Sequence, residues 1–150
     1  MSSDSTDTQR RRWMGLLAKA PEALLDNLWT ELGLTPDFEW IRPPEVGSVM
    51  VRGRAGGTGA AFNLGEMTVT RCTVRLATGE VGHAYVQGRS KAKARQAALV
   101  DALMQGAAAQ TVGARLVGPL ANRLADAKRT RAAKAAATKV EFLTMVRGEN

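Results

Sequence analysis

From Arg10 onward the chain repeats apolar residues at helical spacing. Trp13, Leu16, Leu17 and Ala20 form one stripe of "RRRWMGLLAKA", which predicts an amphipathic helix. Pro21 suits the first position of a second helix, where a missing N–H costs nothing. Leu24, Leu25, Leu28, Trp29 and Leu32 supply its apolar stripe, and Gly33 its stop. The residues before Arg10 carry no such period. Ser2 to Thr8 is short, polar and acidic, and a disordered tail over 1–8 is expected, leaving 9–150 as one domain.

After Phe38 the period changes. Pro43-Pro44 is expected to interrupt any strand or helix running through "FEWIR". "VGSVMVRGR" is apolar and β-branched and predicts a strand that ends in a glycine-rich loop. "EMTVTRCTVRL" is the clearest strand, "ATGE" a turn, and "VGHAYVQG" the returning strand of a hairpin. In the long strand Met67 and Val69 share one phase, while Cys72, Val74 and Leu76 share the other. A bulge near Arg71 would reconcile them.

"SKAKARQAALVDALMQG" predicts a helix with Ser90 as N-cap and Val100, Leu103 and Met104 inward. Pro119 opens another, with Leu120, Leu124 and Ala127 inward. The closing alternation of Val140, Phe142, Thr144 and Val146 reads as a last strand. The order predicts an α+β fold: a small, mainly antiparallel sheet with helices from both ends of the chain packed on one face. Aromatics make up only 5% of the 150 residues, so the core must be built from Leu, Val, Met and Ala, which suits close helix packing.

Charge adds a constraint on partners. The formal net charge is +7, which favours an anionic partner: nucleic acid, a phosphorylated small molecule or an acidic protein surface. Cys72 is the only cysteine, so no internal disulfide framework forms. No apolar h-region opens the chain and no apolar run nears the ~20 residues that span a bilayer. A cytoplasmic location and no membrane partner are expected.

Specific phosphate motifs fail. "RGRAGGTG" lacks the Gly-Lys-Ser/Thr of a P-loop, has the wrong spacing for a dinucleotide fingerprint, and leads into strand-like sequence. Arg52 and Arg54 share one strand face, and Arg71 and Arg75 could face a neighbouring strand. Such guanidinium forks match phosphate or carboxylate, or stand solvated. A second basic feature, Arg89, Lys91, Lys93 and Arg95, stands at a helix start, where an anion would offset the dipole, or the side chains splay into water. Arg10–Arg12 beside two short helices invites a helix-turn-helix reading, but Glu22, Asp26 and Glu31 on the second helix would repel phosphates. His83 has no marked nucleophile partner, Cys72 suits a core position, and Glu66 could cap or pair with an arginine. No His/Asp/Glu cluster has metal-ligand spacing. The residues alone point to an assembly or binding subunit for something anionic, with a small basic nucleic-acid-binding protein as the alternative.

Three longer stretches carry more. "RPPEVGSVMVRGRAGGTGAAFNLGEMTVTRCTVRL", "GEVGHAYVQGR" and "ATKVEFLTMVRG" closely resemble the PhnG family of the bacterial carbon–phosphorus lyase pathway, as does the opening "RRRWMGLLAKAP". The resemblance spans about residues 10 to 148 and departs from the family pattern at Ser90 and in the alanine-rich stretch 107–137. It implies a role in phosphonate catabolism beside PhnI, PhnH and PhnL, in which methylphosphonate displaces adenine from MgATP to give alpha-D-ribose 1-methylphosphonate 5-triphosphate. It also implies a core assembly with PhnH, PhnI and PhnJ, the nucleosidase-like chemistry lying on PhnI. No catalytic residue, metal ligand or cofactor of this chain follows from it. Arg52, Arg54, Asn63, Glu66, Arg71 and His83 are the expected contacts to PhnI or its substrate.

Overall fold

The computed structural model describes residues 2–54, 59 and 61–148; of residues 2, 3, 54, 61, 63 and 145–148 it describes the backbone alone. Two helices, α1 (Ser2–Lys19) and α2 (Glu22–Leu32), precede strands β1 (Phe38–Arg54), β2 (Ala61–Leu76) and β3 (Val81–Gln87). Helix α3 (Lys91–Leu103) follows, then α4 (Ala109–Val112), a π-helical turn (Gly113–Val117) and α5 (Gly118–Gly148). The strands form one antiparallel sheet in the order β1-β2-β3. The α+β class and its antiparallel sheet are as the sequence predicts.

Helix α3 is the centre of the molecule. Ten of its residues are buried, among them Ala94, Ala97, Ala98 and Ala102. These small side chains let the sheet come close: a Cβ at Gly82 of β3 would stand 1.9 Å from the Ala98 carbonyl oxygen. Around this contact lie Leu25, Val74, Val86, Val100, Leu116 and Leu120, all fully buried. Inward and outward residues alternate along β3, so Ala84 and Val86 face α3 while His83 and Tyr85 face away.

One buried carboxylate ties the first helix to this centre. Asp101 accepts hydrogen bonds from the Arg10 guanidinium (2.9 and 3.1 Å), from Trp13 Nε1 (2.8 Å) and from the His83 backbone N–H (2.9 Å). Four donors on a buried carboxylate make such burial tolerable. The bond to Asp101 raises the Arg10 guanidinium further, against a lowering by burial.

Several expectations are corrected. Helix α1 begins at Ser2, so the described part of the segment expected as a disordered tail continues the helix outward, with residues 4–8 exposed. The docked half with Trp13 and Leu17 supplies the nucleus, and extension then costs little. Strand β1 runs through Pro43-Pro44 instead of breaking. It is an edge strand, and its register with β2 shifts between Trp40 and Arg42 and again between Arg42 and Glu45. Prolines are tolerated at such irregular edges because no ladder N–H is lost. The irregularity near Arg71 therefore lies in β1. Strand β2 itself stays regular against β3, and Thr70 continues the buried phase of Cys72, Val74 and Leu76.

The last correction concerns the C-terminus. The expected final strand is the end of α5, where Thr144 Oγ1 donates to the Val140 carbonyl at 3.0 Å across one helical turn. The alanine-rich segment ahead of it has the highest helix propensity available, and the helix it forms continues through these residues.

Candidate protein interface

Strand β3 pairs only with Val69–Arg75 of β2, whereas β1 and β2 stay paired from Phe38↔Leu76 to Arg54↔Ala61. Beyond Val69 the sheet is therefore a two-stranded arm, about 26 Å long at 3.3 Å per residue. Such a ribbon is marginal in water by itself, yet it carries Met50, Val51, Phe62 and Leu64 exposed, Leu64 by 62%. Leu64 lies over Gly53, where an added Cβ would meet its Cδ1 at 2.9 Å.

A second element projects as well. From Ala125 to Thr144 every residue of α5 is exposed, a stretch of about 30 Å at 1.5 Å per residue. Val140, Phe142 and Leu143 are among the most exposed large hydrophobics. Trp40 and Ile41 on edge strand β1 and Tyr85 on β3 complete that set among the described residues. Apart from Tyr85, the uncovered apolar side chains thus belong to β1, the β1–β2 arm and the end of α5. Exposed apolar side chains concentrated in this way make these elements candidates for contact with another molecule.

The sequence-derived candidates divide between two places. Arg52, Arg54, Asn63 and Glu66 belong to the arm, where Arg52 opposes Asn63 and Glu66 opposes Met50. Arg52 and Glu66 are exposed. Arg71 and His83 instead lie on the solvent face of the three-stranded part, opposite Tyr85 and Thr73 respectively. His83 Nδ1 is 3.2 Å from Thr73 Oγ1, and Arg75 pairs with Glu39 at 3.2 Å on the same exposed face. The glycine-rich loop at 55–58 and 60 lies outside the described residues.

The basic helix start does not act as one group. Arg89, Lys91 and Arg95 are exposed, but Lys93 is buried. Its Nζ donates to the Ala18 carbonyl at the end of α1 (3.1 Å) and to the Gln87 carbonyl at the end of β3 (3.4 Å). The buried Lys93, held by one helix-end and one strand-end carbonyl, thus stands apart from the exposed Arg89, Lys91 and Arg95. Burial lowers the Lys93 pKa, opposed by nearby Glu22. Ser90 caps this helix as predicted, accepting from the Lys93 N–H at 3.0 Å while its hydroxyl donates to Glu22 at 2.7 Å.

Cys72 is a core residue. Its thiol donates to the Ala94 carbonyl at 3.3 Å, and burial pushes its pKa up to about 11, away from the thiolate a nucleophile requires. The cavity between α1 and β3, lined by Met14, Leu17, His83 and Tyr85, holds about 210 Å³, under the roughly 300 Å³ where ligand pockets begin. A roomier one of about 490 Å³ is lined by Glu22, Asp26 and Gln96, and its two carboxylates would repel a polyphosphate. Among the described residues no three His, Cys, Asp or Glu side chains gather as metal ligands.

Phosphonate metabolism protein PhnG is the family whose pattern fits this chain, over residues 8–148. The chain belongs to the PhnG family. It is also similar to the alpha-D-ribose 1-methylphosphonate 5-triphosphate synthase subunit PhnG of Rhizobium meliloti (strain 1021), with 49% identity over 149 residues. That match covers 99% of this chain and 96% of the relative, so the arm and the projecting α5 both fall within the shared length. The resemblance found in the sequence is borne out, and with it a place in phosphonate metabolism. No described helix is long and apolar enough to cross a membrane.

Sequence reasoning passed over two features. The apolar arm had a signal in "FNLGEM", where Phe62 and Leu64 alternate with polar residues beside glycines. Asp101 had one too: it is the single charge inside the apolar run "AALVDALM", and a charge at a core-facing position demands partners.

Proposed function

We propose that this PhnG-family chain is an assembly subunit of alpha-D-ribose 1-methylphosphonate 5-triphosphate synthase. In this reading it supports the displacement of adenine from MgATP by methylphosphonate. A phosphonate oxygen forms the bond to the ribose anomeric carbon as the bond to adenine breaks. The chemistry belongs to PhnI, with PhnH and PhnL acting beside it and PhnJ joining the core; MgATP enters as substrate, and this chain holds no cofactor. The observation that carries the reading is the concentration of uncovered apolar side chains on two projecting elements. The name of its relative, a synthase subunit, supports it.

In this reading the arm docks on PhnI, with Phe62 and Leu64 as anchors and Arg52, Arg54, Asn63 and Glu66 as its polar contacts. Arg71 and His83, on the solvent face of the sheet, are then candidates for anion contact. The test is co-expression with PhnI, PhnH and PhnJ, comparing the wild-type chain with Phe62→Asp/Leu64→Asp. Both sites are exposed, so the double variant should fold with an unchanged circular dichroism spectrum and lose PhnI on purification. A wild-type chain that elutes free of PhnI, or a double variant that retains it fully, overturns the proposal.

A further inference from the structure

The distal half of α5 is a long, single, uncovered helix with a strong charge bias. Between Arg123 and Lys139 stand six cations, Arg123, Lys128, Arg129, Arg131, Lys134 and Lys139, against one carboxylate, Asp126. That carboxylate is taken by Arg129, its ion-pair partner. At its base the helix is anchored: Leu120 is fully buried, as is Leu116 in the π-helical turn that leads into it, where Arg115 donates to the Glu31 carbonyl at 2.9 Å. At its tip Val140, Phe142 and Leu143 are exposed.

Helical spacing connects the two ends. Steps of three and four residues lead from Leu120 and Leu124 through Lys128, Arg131, Ala135 and Thr138 to Phe142, so these share one side of the helix. The side that packs on the body at the base presents cations in the middle and an aromatic at the end. Alanines at 132, 133, 135, 136 and 137 add no bulk, so an opposing surface can approach the helix backbone closely.

From this arrangement we infer that the distal half of α5 docks into an acidic groove of a partner protein of the synthase assembly. The groove bears carboxylates opposite Lys128 and Arg131 and an apolar pocket for Phe142. The inference rests on the assembly reading and adds to it the surface and the chemistry of its counterpart. Nucleic acid fits less well, because the tip offers the apolar side chains of Val140, Phe142 and Leu143 and the middle offers no aromatic to stack on bases.

The experiment uses the full chain co-expressed with PhnI, PhnH and PhnJ. Lys128→Glu/Arg131→Glu places like charges against the groove and should weaken capture of the complex about a hundredfold at physiological salt, as like-charge juxtaposition costs several kcal/mol. Because both positions are exposed, its circular dichroism and melting should match wild type. Independently, a photo-crosslinking residue at Phe142 in the otherwise unchanged chain should label a carboxylate-rich segment of a partner subunit. Equal retention of the complex by the charge-reversed chain overturns the helix proposal while leaving the assembly reading intact. So does crosslinking to a second copy of this chain. A wild-type chain that assembles with nothing removes both. Binding of the wild-type chain to duplex DNA at physiological salt, lost on charge reversal, assigns the helix to nucleic acid instead.

Discussion

Helix α3 and the distal half of α5 are both built on alanine, yet their surroundings are opposite. In α3 Ala94, Ala97, Ala98 and Ala102 are buried, because Gly82 and the inner face of the sheet press against the helix backbone. In α5 from Ala125 onward every described side chain is exposed, and alanine there contributes helix propensity alone. The same residue serves close packing in one helix and self-sufficiency in the other. Composition therefore reports a helix in both places and says nothing of whether it is covered. The difference lies in what the rest of the chain brings to each: α3 receives α1, α2, β2 and β3, while α5 leaves the body after Leu124.

Breaking the first half of that contrast should have the largest effect. Asp101→Ala leaves Trp13 Nε1, the His83 N–H and the Arg10 guanidinium without their shared acceptor. A loss of about 3–5 kcal/mol is expected, as for removal of one partner of a buried ion pair, read from the denaturant midpoint. A change below about 1 kcal/mol would show that α1 is not fastened through this carboxylate.

The contrast itself is sharpened by placing one substitution in both helices. Ala98→Leu forces a larger side chain into the α3–sheet contact and should cost about 1–3 kcal/mol or more. Ala136→Leu on exposed α5 should stay within about 0.5 kcal/mol. Equal melting shifts for the two variants would mean that distal α5 is packed in the free chain.

Lys93→Met is expected to cost about 1–2 kcal/mol, since it leaves the Ala18 and Gln87 carbonyls without their shared donor. Its signature is in the pH dependence. Burial lowers the folded-state pKa of Lys93, so below that value the lysine is charged in both states and the full burial cost is present. As pH rises through it toward the ordinary 10.5, the unfolded chain binds the extra proton and folding gains. The stability advantage of wild type over Lys93→Met should therefore grow over this alkaline window. A flat difference would place the Lys93 amine in water.

Much of the body was legible because its signals are local. Trp13 and Leu17, the stripe of α2, the Ser90 cap and the β2–β3 hairpin each follow from spacing within a few residues. Pro43-Pro44 misleads because its effect depends on whether the strand lies at an edge. The end of α5 misleads because Val140, Phe142, Thr144 and Val146 alternate with period two, while Val140 and Leu143 also fit a helix. Lys93 misleads because its destination lies on two elements distant in sequence, α1 and the end of β3. Of the candidate site residues, Arg52, Arg54, Asn63 and Glu66 do fall on one arm. Arg71 and His83 do not, since the arm begins only where β3 stops pairing.

The sequence by itself determined the helices and strands of the body, the absence of a P-loop, the basic character and, through long idiosyncratic motifs, the PhnG family. These depend on residue types at short separations, where sterics and periodicity act directly. Only the tertiary structure decided which apolar residues are left over. That β3 is short enough to free an arm, and that α5 outruns the body, are facts of pairing length and packing between distant segments. Burial is a property of neighbours, and neighbours here are supplied by the fold.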